Sequence, residues 1–346
     1  MKIRVHFGFS ACALLLFAFA QCAGPQSSAL PPKSAQMGRQ VLPLPPEALI
    51  SFTEAGGEVL RNDTQASVRR LNAAPANFGR PIAANVDLGS LMAAVVHQRG
   101  LALLNLTSPE VEPVWLELPW STAPTSVFVA DAYAATLGGS EACIWDLTNA
   151  KLACKIDLAA WSKQQRLGPA VCAVPDRTNP KRATVLFSSP QSTDLQVLDF
   201  SRGDPELVAS ASNLFRNTGL TWHLVERCAY DGDSLFLSGT KEASGTNASG
   251  QVVPLASPFL VRVDLATREY QALASENTHA RDQGVEEIAA AGGRVATLRR
   301  DGLLRVFRGS TPVFERQERT GRAIAWLSES RLAIFDAGSI DVIEIP

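Results

Sequence analysis

Residues 141–158 read EACIWDLTNAKLACKIDL, two apolar runs at Cys143–Leu147 and Lys151–Ile156 joined by a polar turn. Asp146, Thr148, Asn149 and Ala150 sit at or beside that turn, where Asn tolerates left-handed backbone. A two-residue turn at Thr148 and Asn149 sets a register in which Asp146 faces Lys151, Trp145 faces Leu152 and Cys143 faces Cys154. By the two-residue period of a strand, Trp145, Leu152 and both cysteines then share one face. An oxidising compartment makes Cys143 and Cys154 a candidate disulfide.

The same pattern recurs along the chain. LALLNLT (101–107), DLQVLDFS (194–201), LVRVDLAT (260–267), LLRVFRGS (303–310) and IDVIEI (340–345) each end an apolar run on a polar residue. Asn105, Asp199, Asp264, Arg308 and Glu344 are thus the counterparts of Asp146. Ahead of each copy lies another strand pair, opened by Ile82-Ala83, Val129-Ala130, Cys172-Ala173, Cys228-Ala229, Ile288-Ala289 or Ile324-Ala325. A turn follows, and then a second apolar strand such as SLMAAVV, YAATLGG, ATVLFSS, SLFLSG, RVATLRR or RLAIFDA. The unit length of about 48 residues is that of a four-stranded propeller blade.

Repeated four-stranded units predict an all-β fold, a β-propeller of about six blades, or seven if residues 47–77 form more than one strand. The last unit stops at Pro346 after its third strand. An unpaired edge exposes backbone donors and acceptors, so an N-terminal strand at 57–60 or 67–71 is expected to close the last blade. Helical periodicity is nearly absent apart from 158–166, a connection.

IWDLTNAK (144–151) resembles the strand-turn-strand piece of WD-repeat and quinoprotein-type propeller blades: an aromatic or apolar residue, Asp, two variable residues, a small residue or Asn, and often Lys. The likeness covers roughly residues 82–346 and is close in this one copy. The Gly-His pair of WD blades and the paired Trp docking pattern of quinoprotein blades are missing, so the resemblance implies the fold and carries no family activity with it.

Residues 1–20 have the parts of a secretory signal: Lys2 and Arg4, an apolar run from Val5 to Ala20, and Ala18 and Ala20 before a cut. The run is shorter than the roughly 20 residues that span a bilayer as a helix. Two routes stay open. Plain secretion leaves Gln21 first, whereas Phe19-Ala20-Gln21-Cys22 resembles a lipoprotein box, with Gln21 where Gly, Ala or Ser is usual, and would place a lipid on Cys22. Residues 21–46, rich in Pro, Ser and Gln, read as a solvated tether ahead of a single domain at 47–346. The formal charge of -2 becomes -4 once Lys2 and Arg4 leave, which excludes a broadly basic nucleic-acid binder and leaves a lipid anchor as the one route to a membrane.

His97, His223 and His279 lie far apart with no metal-ligand spacing, and no nucleophile elbow, phosphate loop or dinucleotide fingerprint occurs. No cofactor is implied. Cys172 and Cys228 hold the same place in successive units. Packed sheets lie about 10 Å apart, beyond the ~7 Å between Cα atoms that a disulfide allows, so both read as free thiols.

The connections between blades open on the same rim as the turns between second and third strands. That rim collects Trp120, Trp161, Trp222, His223, Arg99, Arg299 and Arg300, the residue types enriched in binding hot spots. It also carries an insertion at 239–258 and a polar link at 275–283. The expected function is a monomeric, exported, non-enzymatic scaffold of the bacterial envelope that holds a protein or peptide. The rival expectation is an exported lactonase, glycan-active or quinoprotein propeller with its site at the central channel, where Glu226, Arg227, Glu286 and Glu287 are the charged candidates.

Overall fold

Strands apolar on both faces need cover on both faces, and the chain supplies it by stacking seven sheets side by side around one axis. In the computed structural model, residues 33–346 are described except 109, 120–121, 216–222, 247–248 and 276–283. A short helix, α1 (Lys33–Met37), leads into blade 1: β1 (Gln40–Leu44), β2 (Ala48–Thr53), β3 (Gly56–Arg61) and β4 (Ser67–Arg70). Blade 2 holds β5 (Pro81–Asp87), β6 (Met92–His97), β7 (Gly100–Asn105) and β8 (Val114–Glu117). Blade 3 holds β9 (Ser126–Ala130), β10 (Tyr133–Gly138), β11 (Glu141–Asp146) and β12 (Lys151–Asp157), and helix α2 (Leu158–Gln165) follows. Blade 4 is β13 (Ala170–Pro175), β14 (Arg182–Ser188), β15 (Thr193–Asp199) and β16 (Glu206–Ala211). Blade 5 is β17 (His223–Asp231), β18 (Ser234–Thr246), β19 (Val252–Asp264) and β20 (Tyr270–Ser275). Blade 6 is β21 (Val285–Ala291), β22 (Arg294–Arg299), β23 (Leu303–Arg308) and β24 (Thr311–Gln317). Blade 7 has β25 (Ala323–Trp326), β26 (Arg331–Phe335) and β27 (Ile340–Glu344).

Every sheet runs in chain order with antiparallel neighbours. The first strands β1, β5, β9, β13, β17, β21 and β25 each touch the first strand of the next blade, and β1 touches β25. Burial follows radius: the middle strands are buried on both faces, whereas β4, β8, β16 and β24 are largely exposed. Each of the seven blade junctions has its own apolar cluster among the described residues. Backbone-directed bonds stitch the junctions near the axis: Val129 N–H to Asn85 Oδ1 at 2.7 Å, Gly293 N–H to Asp231 Oδ2 at 2.6 Å, and Trp326 Nε1–H to the Ala289 carbonyl at 3.1 Å.

Two expectations change, and the blade count is the seven expected if 47–77 form more than one strand. The composition of 21–46 predicts a tether through Pro46, yet β1 already occupies Gln40–Leu44, because Val41, Leu42 and Leu44 are buried against neighbouring blades. Residues 47–77 make three strands and, with β1, a complete first blade, so the count is seven. The strands expected to complete the last blade, 57–60 and 67–71, instead fall in β3 and at β4 of blade 1, and the last sheet has three strands among the described residues. The ring closes by packing: Val41, Leu49 and Leu60 of blade 1 bury against Ala333, Phe335 and Ile340 of blade 7.

The recurrent polar residue has a local task. Asn105, Asp146, Asp199 and Asp264 each accept backbone N–H groups two or three residues ahead, which fixes the turn into the fourth strand. The Ser201 hydroxyl and N–H hold the Asp199 carboxyl down at about 2. At the turn of blade 3 the left-handed residue is Ala150, with φ 47°, and the loop spans 147–150.

Leu49 is 0 % exposed in the junction that closes the ring. Leu49→Ala is therefore expected to lower the unfolding free energy by about 2–5 kcal/mol in a denaturant titration. A cost under about 1 kcal/mol would mean that blade 1 does not carry the closure.

Candidate functional site

Two places on the ring gather chemistry: the axis and the face from which the blade-to-blade connections emerge. The axial channel contains a cavity of about 160 Å³ walled by the first strands, with Ala83, Ala84, Ala229, Ala289, Ala290 and Ala325 among its lining. It runs into a mouth of about 390 Å³ at the turns between first and second strands, where Asp87, Arg177, Tyr230, Asp231 and Glu329 stand. Asp87 and Asp231 are engaged by backbone: Asp87 accepts from Gly89 and, in the next blade, from Asp131 N–H at 2.7 Å, and Asp231 from Gly293 N–H. Among the described residues, no group of three or more His, Cys, Asp or Glu is placed to hold a metal ion.

At the opposite mouth α1 lies over the channel against β5 and β25. Its Ser34 N–H donates to Glu287 Oε1 at 2.7 Å, and Lys33 pairs with Glu286 at 3.9 Å. Arg227 Nε donates to the Glu286 carbonyl at 3.0 Å. Of the four charged channel candidates, Glu287 is the most enclosed, 6 % exposed. Burial lifts its carboxyl to about 7, and the Ser34 N–H and the Arg227 guanidinium pull it back only in part. Burial also raises Glu226 and lowers Arg227. A repeated bulge explains the placement: β5, β13, β17 and β21 each slip register by one residue near the same end, just ahead of Ala83, Cys172, Arg227 and Glu287.

Only part of the rim set falls among the described residues. Trp120, Trp222 and His279 lie outside the described residues. Trp161 is 8 % exposed, because Leu158 and Trp161 share the inward side of α2 and its Nε1–H donates to Gln196 Oε1 at 2.7 Å. Asp157 caps that helix by accepting Ala159 N–H. His223 is buried beside Phe215, with Nε2 2.7 Å from Thr193 Oγ1, and His97 is buried while its Nδ1–H donates to the Gly79 carbonyl. Burial pushes both imidazoles below the usual histidine range. Arg299 is 8 % exposed and pairs with Asp301 at 2.7 Å. Arg99 and Arg300 are exposed.

The insertion at 239–258 is not a loop. It prolongs β18 and β19 to 13 residues each, paired from Ser234↔Asp264 out to Thr246↔Val252. Among the described residues, β17 accompanies β18 to Lys241 and no further, and β20 accompanies β19 over 259–263. About six residues per strand, roughly 20 Å, therefore project from the connection face as a two-stranded arm. Gly239 sits at its root, where a Cβ would stand 1.9 Å from the Leu224 carbonyl oxygen, so the bulged β17 can lie tight on β18 only over a glycine. Nothing in the run of Gly, Ser and Thr distinguishes this from a loop until the partner strand is found.

The four described cysteines are free thiols. The expected opposition of Cys143 and Cys154 fails because a bulge between Ile144 and Trp145 inserts Ala153. Trp145 still faces Leu152 and Asp146 faces Lys151, but Cys154 lies opposite Ile144 and Cys143 opposite Lys155. The two thiols point into different junctions, blades 2–3 and blades 3–4. Cys22 lies outside the described residues.

Glu287 gives a pH signature. Its folded value is raised above the ordinary 4.5 to about 7, so its stability contribution is full below 4.5 and is lost as pH rises through about 7. The Glu287→Gln variant is expected to lose this decline, at most ~1.4 kcal/mol per pH unit, and to unfold at a higher temperature than the parent above pH 7. Parallel pH-stability curves for the two proteins would contradict the assignment.

No protein-family model matches the chain, and no curated protein matches it. Solved structures do. The β-propeller domain of Cps50 (Swd1) from Myceliophteria thermophila aligns with a TM-score of 0.59 at 10% identity, over 89% of this chain and 96% of that one. BamB from Moraxella catarrhalis aligns at 0.50 and 10% identity over 90% and 97%. KlAtg21, solved with the coiled coil of AgAtg16, aligns at 0.53 and 11% over 87% and 91%. By fold, the chain is a seven-bladed β-propeller whose structural neighbours are WD40-type and BamB-type propellers.

Proposed function

We propose that this propeller is an exported scaffold of the bacterial cell envelope that holds a protein or peptide partner on its connection face, with the β18–β19 arm as the main contact. The arm is the observation that carries the reading. A two-stranded ribbon is marginal in water by itself, and its outer edges carry backbone groups without a neighbouring strand among the described residues. Pro254 and Pro258 interrupt the donors of β19, whereas residues 242–246 of β18 contain no proline. An extended partner segment therefore adds to the β18 edge, with exposed Arg99 and Arg300 on the same face to draw its charge. KlAtg21 is described in complex with a coiled coil, and a ring of the same fold put to the same general use supports the reading.

Export rests on Lys2, Arg4 and the apolar run to Ala20, and the envelope on the lipoprotein-like Phe19-Ala20-Gln21-Cys22. The intact mass of the protein recovered from cell fractions is expected to start at Gln21 or at a lipidated Cys22. A chain retaining residues 1–20 in the cytoplasm would overturn the export reading.

Partner binding is tested by joining Lys241 to Ser257, which face each other in the ladder, through an Asn-Gly turn that removes the arm. A photoreactive residue at exposed Ser249 in the full chain identifies the partner, whose affinity for both forms is then measured. The trimmed protein is expected to keep its unfolding midpoint and to bind at least about tenfold more weakly. Equal affinity of the two forms would sink the proposal.

A further inference from the structure

We propose that Cys172 and Cys228 are a redox modification site, closing to a disulfide that staples blade 4 to blade 5 at the channel wall when the protein meets a small-molecule disulfide. The cysteines lie on β13 and β17, first strands of adjacent blades that rest directly against one another. Their registers differ by one residue, Cys172 being the first past the bulge of β13 and Cys228 the second past that of β17, so the two strands turn these side chains toward the same junction: Cys172 is opposite Leu186 and Cys228 opposite Leu237, and both leucines belong to one cluster with the two cysteines. The two side chains pack in that cluster, close enough for Cys228 to push the Cys172 thiol up. The ~10 Å separation of packed sheets holds at mid-blade, but the first strands converge on the axis, and this is what brings the two sulfurs together.

Access and chemistry divide between them. Cys228 is half-buried and lines the channel cavity, whereas Cys172 is 1 % exposed behind it. The Cys228 thiolate attacks one sulfur of the incoming disulfide; that S–S bond breaks, one thiol departs, and a mixed disulfide forms on Cys228. The Cys172 thiolate then attacks the Cys228 sulfur, forming the protein S–S bond and expelling the second thiol. The two protein thiols are oxidised, the added disulfide is reduced to two thiols, and these carry off the two protons. The neighbouring Cys228 and burial push the Cys172 thiol up, so the closing step is the slow one and quickens as pH rises. Cys143 and Cys154 are an internal control, since they face different junctions.

The full chain is incubated with hydroxyethyl disulfide in mildly alkaline buffer, alkylated without reduction under denaturing conditions, digested and weighed. The expected result is a protein lighter by two hydrogens, with one linked peptide pair joining Cys172 to Cys228 and with Cys143 and Cys154 alkylated. The thermal midpoint of the oxidised form is expected to rise by roughly 5–10 °C over the reduced form, a rise that Cys228→Ala or Cys172→Ala abolishes. Alkylation of both Cys172 and Cys228 after oxidation, a link to Cys143 or Cys154 instead, or an oxidised form that melts no higher than the reduced one would overturn the proposal. The peptide map of the unmutated chain decides the linkage even if neither variant folds.

Discussion

Seven first strands converging on one axis is the constraint on which everything else depends. Their close approach admits mainly small residues, hence the alanines that wall the channel. The converging strands set the wedge shape of each blade, so that both faces of every middle strand are covered by a neighbour and read as continuous apolar runs. No blade is stable on its own terms, because its second face is finished only by the next blade. The last junction, between blades 7 and 1, therefore decides whether the ring stands, and it is met by side-chain packing around Leu49 and Phe335. The same convergence brings Cys172 up to Cys228 and holds Glu287 under α1.

Much of this fold is legible in the residues themselves. In blades 2 to 5 the polar residue ending the third strand marks a turn it caps, and the apolar-Ala pairs mark the innermost strands, so six blades could be placed by spacing alone. Blade 1 escaped because its third strand, Gly56–Arg61, begins with two glycines and ends on Arg61 without an Asp or Asn cap. Its first strand hides in a Pro-rich stretch whose Val41, Leu42 and Leu44 are recognised as core only once blades 2 and 7 are seen to cover them. The facing of Cys143 and Cys154 depends on a bulge at Ala153, which strict alternation does not reveal. The arm is hidden in the sequence for a related reason: Gly, Ser and Thr specify a loop by composition, and cross-strand pairing outweighs that composition.

The candidate site was less legible than the fold. The burial of the described rim candidates could not be read from their positions: Trp161 and His223 finish blade cores, and Arg299 is tied to Asp301. The features that stand out chemically arise from placement across blades, such as the enclosed Glu287 beneath Ser34 and the backbone of an arm that outruns its neighbouring strands. A scaffold with a rigid ring, a projecting ribbon and an occupied channel mouth is the reading that uses all of them.

Amide hydrogen exchange on the full chain tests the ring closure most directly. If blades 1 and 7 complete one another, the amides of β2 and those of β26 exchange only through global unfolding, with matching protection and a matching response to denaturant. Fast exchange across residues 40–61 while 331–335 stay protected would show that the first blade is not part of the ring and would contradict the account.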